Sequence, residues 1–151
     1  MAIEPKVVDV PARRVVGVVV ISPMEPNLCP TAWQAFDPRI REVAIAGDCL
    51  GVVRWDYPGL PPGQFAYMAC FESSMAPPDG MEAWELPAAT YAEVRISGLN
   101  AIRPAIGEFQ SWLPSSGWQS GSAPYLELYP ESFPASPELS LFFAIQPKRG
   151  S

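Results

Sequence analysis

The strongest constraint on the fold is an echo inside the chain. The stretch DVPARRVVGVVVIS (residues 9–22) sets against ELPAATYAEVRISG (residues 85–98) at a constant offset, so that Pro11 matches Pro87 and Ala12 matches Ala88. Each stretch opens the same series of elements. Residues 7–10 read as a short strand closed by Pro11, and residues 13–21 are β-branched and nearly all apolar, the pattern of a buried strand. Pro23, Pro26 and Pro30 mark a loop. Thr31 and Gln34 have capping-box spacing, which predicts a helix from about 31 towards 46, kinked or restarted at Asp37-Pro38. Strands follow at 48–57 and 65–71, separated by the turn PGLPPG.

Residues 73–88 carry Pro77, Pro78, Gly80 and Pro87 and read as a linker. The second series then runs through a strand at 90–97 and a helix. In that helix Ile102, Ala105, Ile106, Phe109, Trp112 and Leu113 share one face, and Pro114 and Gly117 stop it. Strands at 125–129 and 139–146 end the series, and KRGS reads as a frayed end. The closing strands of the halves are alike in character, FAYMACFE against LSLFFAIQ, and the strands before them end alike, RWDY against LELY. Four elements in one order with matched turns point to an internal duplication. The expected fold is α+β. Tandem pseudo-twofold β-α-β-β repeats, about 5–72 and 85–148 around a linker at 73–84, form a single domain with one antiparallel sheet. Both main helices cover one face, and a ligand cleft lies on the other, where the halves meet.

Composition narrows the function. Of 151 residues, 48% are hydrophobic and 17% charged, enough apolar material for a core and too little polarity for disorder. The net charge of −6 argues against direct nucleic-acid binding, which needs a basic footprint. Acids also dominate long stretches. Asp56, Glu72, Asp79, Glu82, Glu85 and Glu93 lie between Arg54 and Arg95 with no base among them. That is either a solvated acidic surface or a field that attracts cations. The start lacks a basic segment followed by an apolar one, so no signal peptide is expected, and the longest apolar run is too short to span a bilayer. Three cysteines without a CxxC pair fit a reducing, cytoplasmic setting. No histidine is present, which removes Ser-His-Asp and Cys-His catalysis and most zinc sites. No cofactor or metal is implied.

One segment stands out chemically. In YLELYP, Tyr125, Glu127 and Tyr129 share one strand face and Leu126 and Leu128 share the other. A carboxylate among rings is poorly solvated and costly unless a positive partner arrives. A bound cation supplies that partner, and each ring face adds ~0.5–2 kcal/mol. Apolar burial of the ligand adds ~25 cal/mol per Å². The bland reading of Glu127 is an exposed strand residue. By the repeat, Trp55 mirrors Glu127 and Tyr57 mirrors Tyr129, and both are candidates for the same cleft. So are Tyr91, which shares the sheet seam, and Tyr67, Phe71 and Phe143, which line strand faces as pocket wall or packing. Trp112 closes a helical apolar stripe, as core or wall, and Trp84 is a lid or a core plug.

The arrangement resembles the GyrI-like effector-binding domains, related to the C-terminal drug-binding domains of MerR- and AraC-type regulators. LPAATYAEVRISG is similar to that family's strand entry, with Ala89 where glycine is usual. AIGEFQSWLPSSGW is similar to its helix ending, and YLELYP to the strand carrying its ligand-contacting acid, which falls on Glu127. TAWQAFDPRI and GQFAYMACFE echo the first half, and the likeness spans roughly 4–148. The resemblance implies a stand-alone module that binds lipophilic, cationic small molecules, sequestering or sensing them. No DNA-binding unit is expected before the first strand. It also implies two alternatives. One is a hydrolase of reactive electrophiles, with Glu127 as general base. The other is a gyrase-modulating or regulator-interacting protein. A homodimer or a regulatory protein partner stays open.

Overall fold

A computed structural model describes residues 4–39, 47–133 and 135–148 of the chain. The elements are β1 (Lys6–Val10), β2 (Arg13–Pro23), α1 (Cys29–Phe36), β3 (Cys49–Arg54), β4 (Gln64–Glu72), β5 (Glu82–Leu86) and β6 (Ala89–Ser97). Then come α2 (Ile102–Trp112), β7 (Trp118–Ser120), β8 (Tyr125–Tyr129) and β9 (Glu138–Pro147). All strand pairs are antiparallel, in the order β1-β6-β9-β8-β3-β4-β2-β5, with β7 beside the end of β9. The α+β class with one antiparallel sheet and two helices is as expected.

The connections force the sheet to curl. At ~4.8 Å per strand, a flat row of this length would be on the order of 34 Å wide. Yet Pro11 and Ala12 alone join β1, at one edge, to β2, beside the other. Pro87 and Ala88 alone join β5, at the second edge, to β6, beside the first. Such links reach ~10 Å at most. The edges are therefore drawn together and the sheet is rolled. Val10 pairs with Ala89 and Arg13 with Leu86. The shift that takes Pro11 to Pro87 exchanges these two pairs.

Rolling gives the sheet a concave face, and that face is packed. Val15, Leu50, Val52, Met68, Trp84, Leu86, Tyr91 and Leu126 fill it. On the outer face α1 lays Ala32 and Phe36 on Val16, Val18, Ala69 and Phe71. α2 lays Ala105 and Phe109 on Ala92, Val94, Leu141 and Phe143, with the Phe109 and Phe143 rings stacked at 4.1 Å. Each helix covers its own half and leaves the central strands β3 and β8 bare between them. The cleft expected on the face away from the helices is therefore on the helix face. On the other face a smaller hollow of about 520 Å³ remains, at one end beside Arg54, Ala89, Ala123 and Ala144.

Several expectations differ in detail. The segment read as a linker contains β5, which completes the edge beside β2. Pro77 and Pro78 precede Glu82 and Pro87 follows Leu86, and between them Trp84 and Leu86 supply the alternation that buries one face. β7 was also not expected. The capping box at Thr31 and Gln34 does not form. Pro30 takes the first turn, where its missing N–H costs nothing, and the Thr31 hydroxyl donates to the Leu28 carbonyl. α1 ends at Phe36, and residues 37–39 tighten into a 3-10 turn at Pro38. The rest of the predicted helix, residues 40–46, lies outside the described residues. Lys148 is tied down rather than frayed: its N–H donates to the Gly117 carbonyl and its ammonium to the Pro114 carbonyl.

Candidate functional site

The site grows from the two-residue period of β8. Leu126 faces the concave core, which turns Tyr125, Glu127 and Tyr129 to the helix side. Glu127 pairs with Gly51 of β3. The absence of a side chain at Gly51 is what seats the carboxylate. A Cβ there would overlap the Tyr67 hydroxyl and lie 2.9 Å from Glu127 Oε1. Into that gap come three phenols. Tyr67 and Tyr129 donate to Glu127 Oε1 at 2.9 and 2.8 Å, and Tyr125 donates to Oε2 at 3.1 Å. The Trp33 indole N–H of α1 in turn donates to the Tyr67 hydroxyl at 2.9 Å.

Glu127 is 8% exposed. Burial raises its pKa above the usual carboxylate value, and the three hydroxyl bonds only partly offset that rise. The phenols of Tyr67, Tyr125 and Tyr129 are pushed up by burial first and by the adjacent carboxylate second, so they remain donors at neutral pH. Burial, then Glu127, pushes the Cys29 thiol up to about 12, which keeps it protonated. Among the described residues Glu127 makes no ion pair.

A cleft of about 890 Å³ opens over this carboxylate. Trp33, Gln34 and Asp37 come from α1 and its end, Leu99 from the 3-10 turn that leads into α2, and Ile102 and Arg103 from the start of α2. Tyr67, Glu127 and Tyr129 form the floor, with Pro130, Glu131 and Phe133 beside them. The Trp33 and Tyr129 rings meet edge to face at 5.2 Å, and Tyr129 and Phe133 likewise. Among the described residues the lining carries Asp37, Glu127 and Glu131 against one base, Arg103. Among the described residues no cluster of three or more metal-ligating side chains occurs, and no helix is long and apolar enough to cross a membrane.

Of the expected site residues, Glu127, Tyr129 and Tyr67 meet here. Phe71 lies under α1 against Phe36, and Phe143 and Trp112 pack around Phe109 of α2. They support the walls without lining the cleft. Tyr91, Tyr57 and Trp84 belong to the concave side. Tyr91 donates to the Pro124 carbonyl, Tyr57 donates to Glu82, and Trp84 carries the Arg54 guanidinium over its ring at 4.8 Å. Trp55 is 60% exposed and leans on Phe65. Matching RWDY to LELY placed Trp55 opposite Glu127, but the strand register places Gly51 there. Trp33, Tyr125, Cys29, Leu99, Ile102, Arg103 and Phe133 were not among the expected site residues. Tyr125 was legible from its shared face with Glu127. Trp33 sits next to the Ala32 and Phe36 stripe, where a helix residue leans over the edge of its footprint.

Comparison with known proteins gives a consistent picture. A family model for the GyrI-like small molecule binding domain matches residues 3–143. No curated protein matches the chain. Among solved structures, SAV2435 bound to tetraphenylphosphonium is 14% identical with a TM-score of 0.73, covering 95% of this chain and 94% of that one. The C-terminal domain of EcmrR is 14% identical with a TM-score of 0.71, covering 98% of this chain and 100% of that one. A hydrolase encoded by lin2189 from Listeria innocua is 8% identical with a TM-score of 0.60, covering 96% of this chain and 93% of that one. At these identities the likeness is one of fold.

Proposed function

The chain belongs to the family of GyrI-like small-molecule binding domains, and we propose that its cleft takes up lipophilic cations with Glu127 as their charge partner. The observation that carries this reading is a buried carboxylate with no cationic partner among the described residues, held by three phenols at the floor of a cleft walled by aromatic rings. Removing an anion from water costs several kcal/mol. Three hydroxyl bonds return part of that, and a bound cation returns more. At ~5 Å and an effective dielectric of ~20 the attraction is about 3 kcal/mol. The rings Trp33, Tyr129 and Phe133 offer faces to a diffuse charge and contacts to an apolar body. The tetraphenylphosphonium on a structural neighbour is a ligand of this chemistry. The corresponding role is sequestration or sensing of such molecules.

The test is titration with tetraphenylphosphonium and with a neutral triphenyl compound of similar size. The cation binds in the micromolar range and the neutral compound far more weakly. Glu127→Gln lowers cation affinity roughly 100-fold, the equivalent of about 3 kcal/mol. Equal affinity in that variant overturns the reading.

A second reading has its own observation. Burial raises the Glu127 pKa, as a general base requires, and Trp33 stands beside it. The three phenols favour binding over this use, because each bond stabilises the anion and lowers its basicity. Turnover of a strained electrophile, abolished in Glu127→Gln, would establish hydrolysis.

A further inference from the structure

We propose that the cleft selects permanently charged onium cations, such as quaternary ammonium and phosphonium, over protonated amines of matched size, and that Tyr125 sets this preference. The inference rests on cation binding at Glu127 and goes further by asking what the carboxylate has left to offer.

A carboxylate has about four acceptor sites. Two on Oε1 are taken by Tyr67 and Tyr129, and one on Oε2 by Tyr125. One site remains. The three phenols are held from behind. Tyr67 accepts the Trp33 indole N–H, Tyr125 packs on Phe143 at 5.3 Å, and Tyr129 lies between Trp33 and Phe133. They cannot swing away without losing those contacts. Ionised Glu127 therefore offers a negative field with its hydrogen-bonding capacity nearly spent.

That separates two kinds of cation. A quaternary ion brings no N–H, so it needs only a negative field and ring faces, and both are here. A primary ammonium brings three donors that were bonded to water. The carboxylate offers one acceptor site for them, and each donor left bare is a desolvation cost. Other acceptors do not repair this. The floor hydroxyls and the second lone pair of Asn27 Oδ1, which accepts the Cys29 N–H, are neutral and weaker acceptors than the carboxylate, and the Gln34, Asp37 and Glu131 side chains are exposed to solvent. An amine drawn to those acids stays in water and gains little from the rings.

The experiment compares 4-phenylbenzyltrimethylammonium with 4-phenylbenzylammonium by calorimetry at pH 7.5, where both carry one positive charge. The wild-type chain binds the quaternary ion at least 10-fold more tightly. Tyr125→Phe empties the Oε2 site, strengthens amine binding and narrows the gap to under ~3-fold. Tyr129→Phe, which frees an Oε1 site, moves the gap the same way and serves if Tyr125→Phe does not fold. Tyr91→Phe, on the concave side, leaves the gap unchanged. Equal affinities in the wild type, or a gap indifferent to both floor variants, overturns the preference while leaving cation binding intact. Failure of both ions and of tetraphenylphosphonium to bind overturns the preference and the proposed function together.

Discussion

Gly51→Ala is a one-carbon change whose sign separates two physical accounts of the central strands. Judged locally, alanine in a strand is better than glycine by ~0.5–1 kcal/mol, so the variant should be slightly stabilised. The site geometry demands the opposite. The new methyl falls on the Tyr67 hydroxyl, 2.8 Å from its Cζ and 2.9 Å from Glu127 Oε1. Tyr67 is 2% exposed and has nowhere to retreat within the core. Moving it breaks its bond to Glu127, worth ~1.5–3 kcal/mol for a charged acceptor, and the Trp33 bond, worth ~1 kcal/mol. Set against the local gain, the expected net loss is about 2–3 kcal/mol, or a fall in Tm of roughly 8 °C for a domain of this size. Thermal and urea unfolding measure it, and tetraphenylphosphonium titration on the folded fraction reads the site. In Gly51→Ala/Tyr67→Phe the clashing hydroxyl is gone, so the double variant is more stable than the two single losses added together. A Gly51→Ala chain that melts within a degree of wild type and binds the cation unchanged refutes the account of Gly51 as the seat of the carboxylate.

Three further outcomes follow from the same geometry. Because burial raises the Glu127 pKa, the folded state holds its proton above the pH at which the unfolded chain releases it. Stability from this group is therefore present at low pH and lost as pH rises through the folded pKa, while cation affinity rises over that window and then levels off. Calorimetry in buffers of different ionisation enthalpy should detect proton release on binding there. Trp33→Phe removes most of the fluorescence change on cation binding, since Trp33 is the tryptophan lining the cleft, and costs ~1 kcal/mol of stability through the lost Tyr67 bond. Arg54→Ala strips the guanidinium from over Trp84 and Tyr57 and costs ~1 kcal/mol in urea unfolding. It leaves cation affinity within 2-fold, because that cluster is on the other face of the sheet.

What was legible in the sequence, and what was not, divides along a physical line. Local period and punctuation located β2, β4, β6, β8, β9 and the α2 stripe, because alternation and i, i+3, i+4 spacing are properties of single segments. Alternation also showed that Glu127 shares a face with two tyrosines. It could not show which face the helices take, since that depends on how distant strands pair. The curl follows from β1 and β5 pairing with the opposite halves, which no short window contains. Hence Tyr57 and Tyr91 read as cleft walls, whereas the curl turns them to the concave side beside Trp84, which is a core plug there, with Arg54 as the cation over the Tyr57 and Trp84 rings. Gly51 is the instructive case. The likeness of RWDY to LELY aligned strand ends and set Trp55 against Glu127. The shift that matches Pro11 to Pro87 instead carries Gly51 onto Glu127, the residue it pairs with across β3 and β8. One half thus supplies the acid where the other supplies the space. Two carboxylates facing each other there would repel, and one side chain opposite a glycine leaves room for three phenols. A site of that kind is written as much in the missing side chain as in the charged one, and only the register between the halves reveals it.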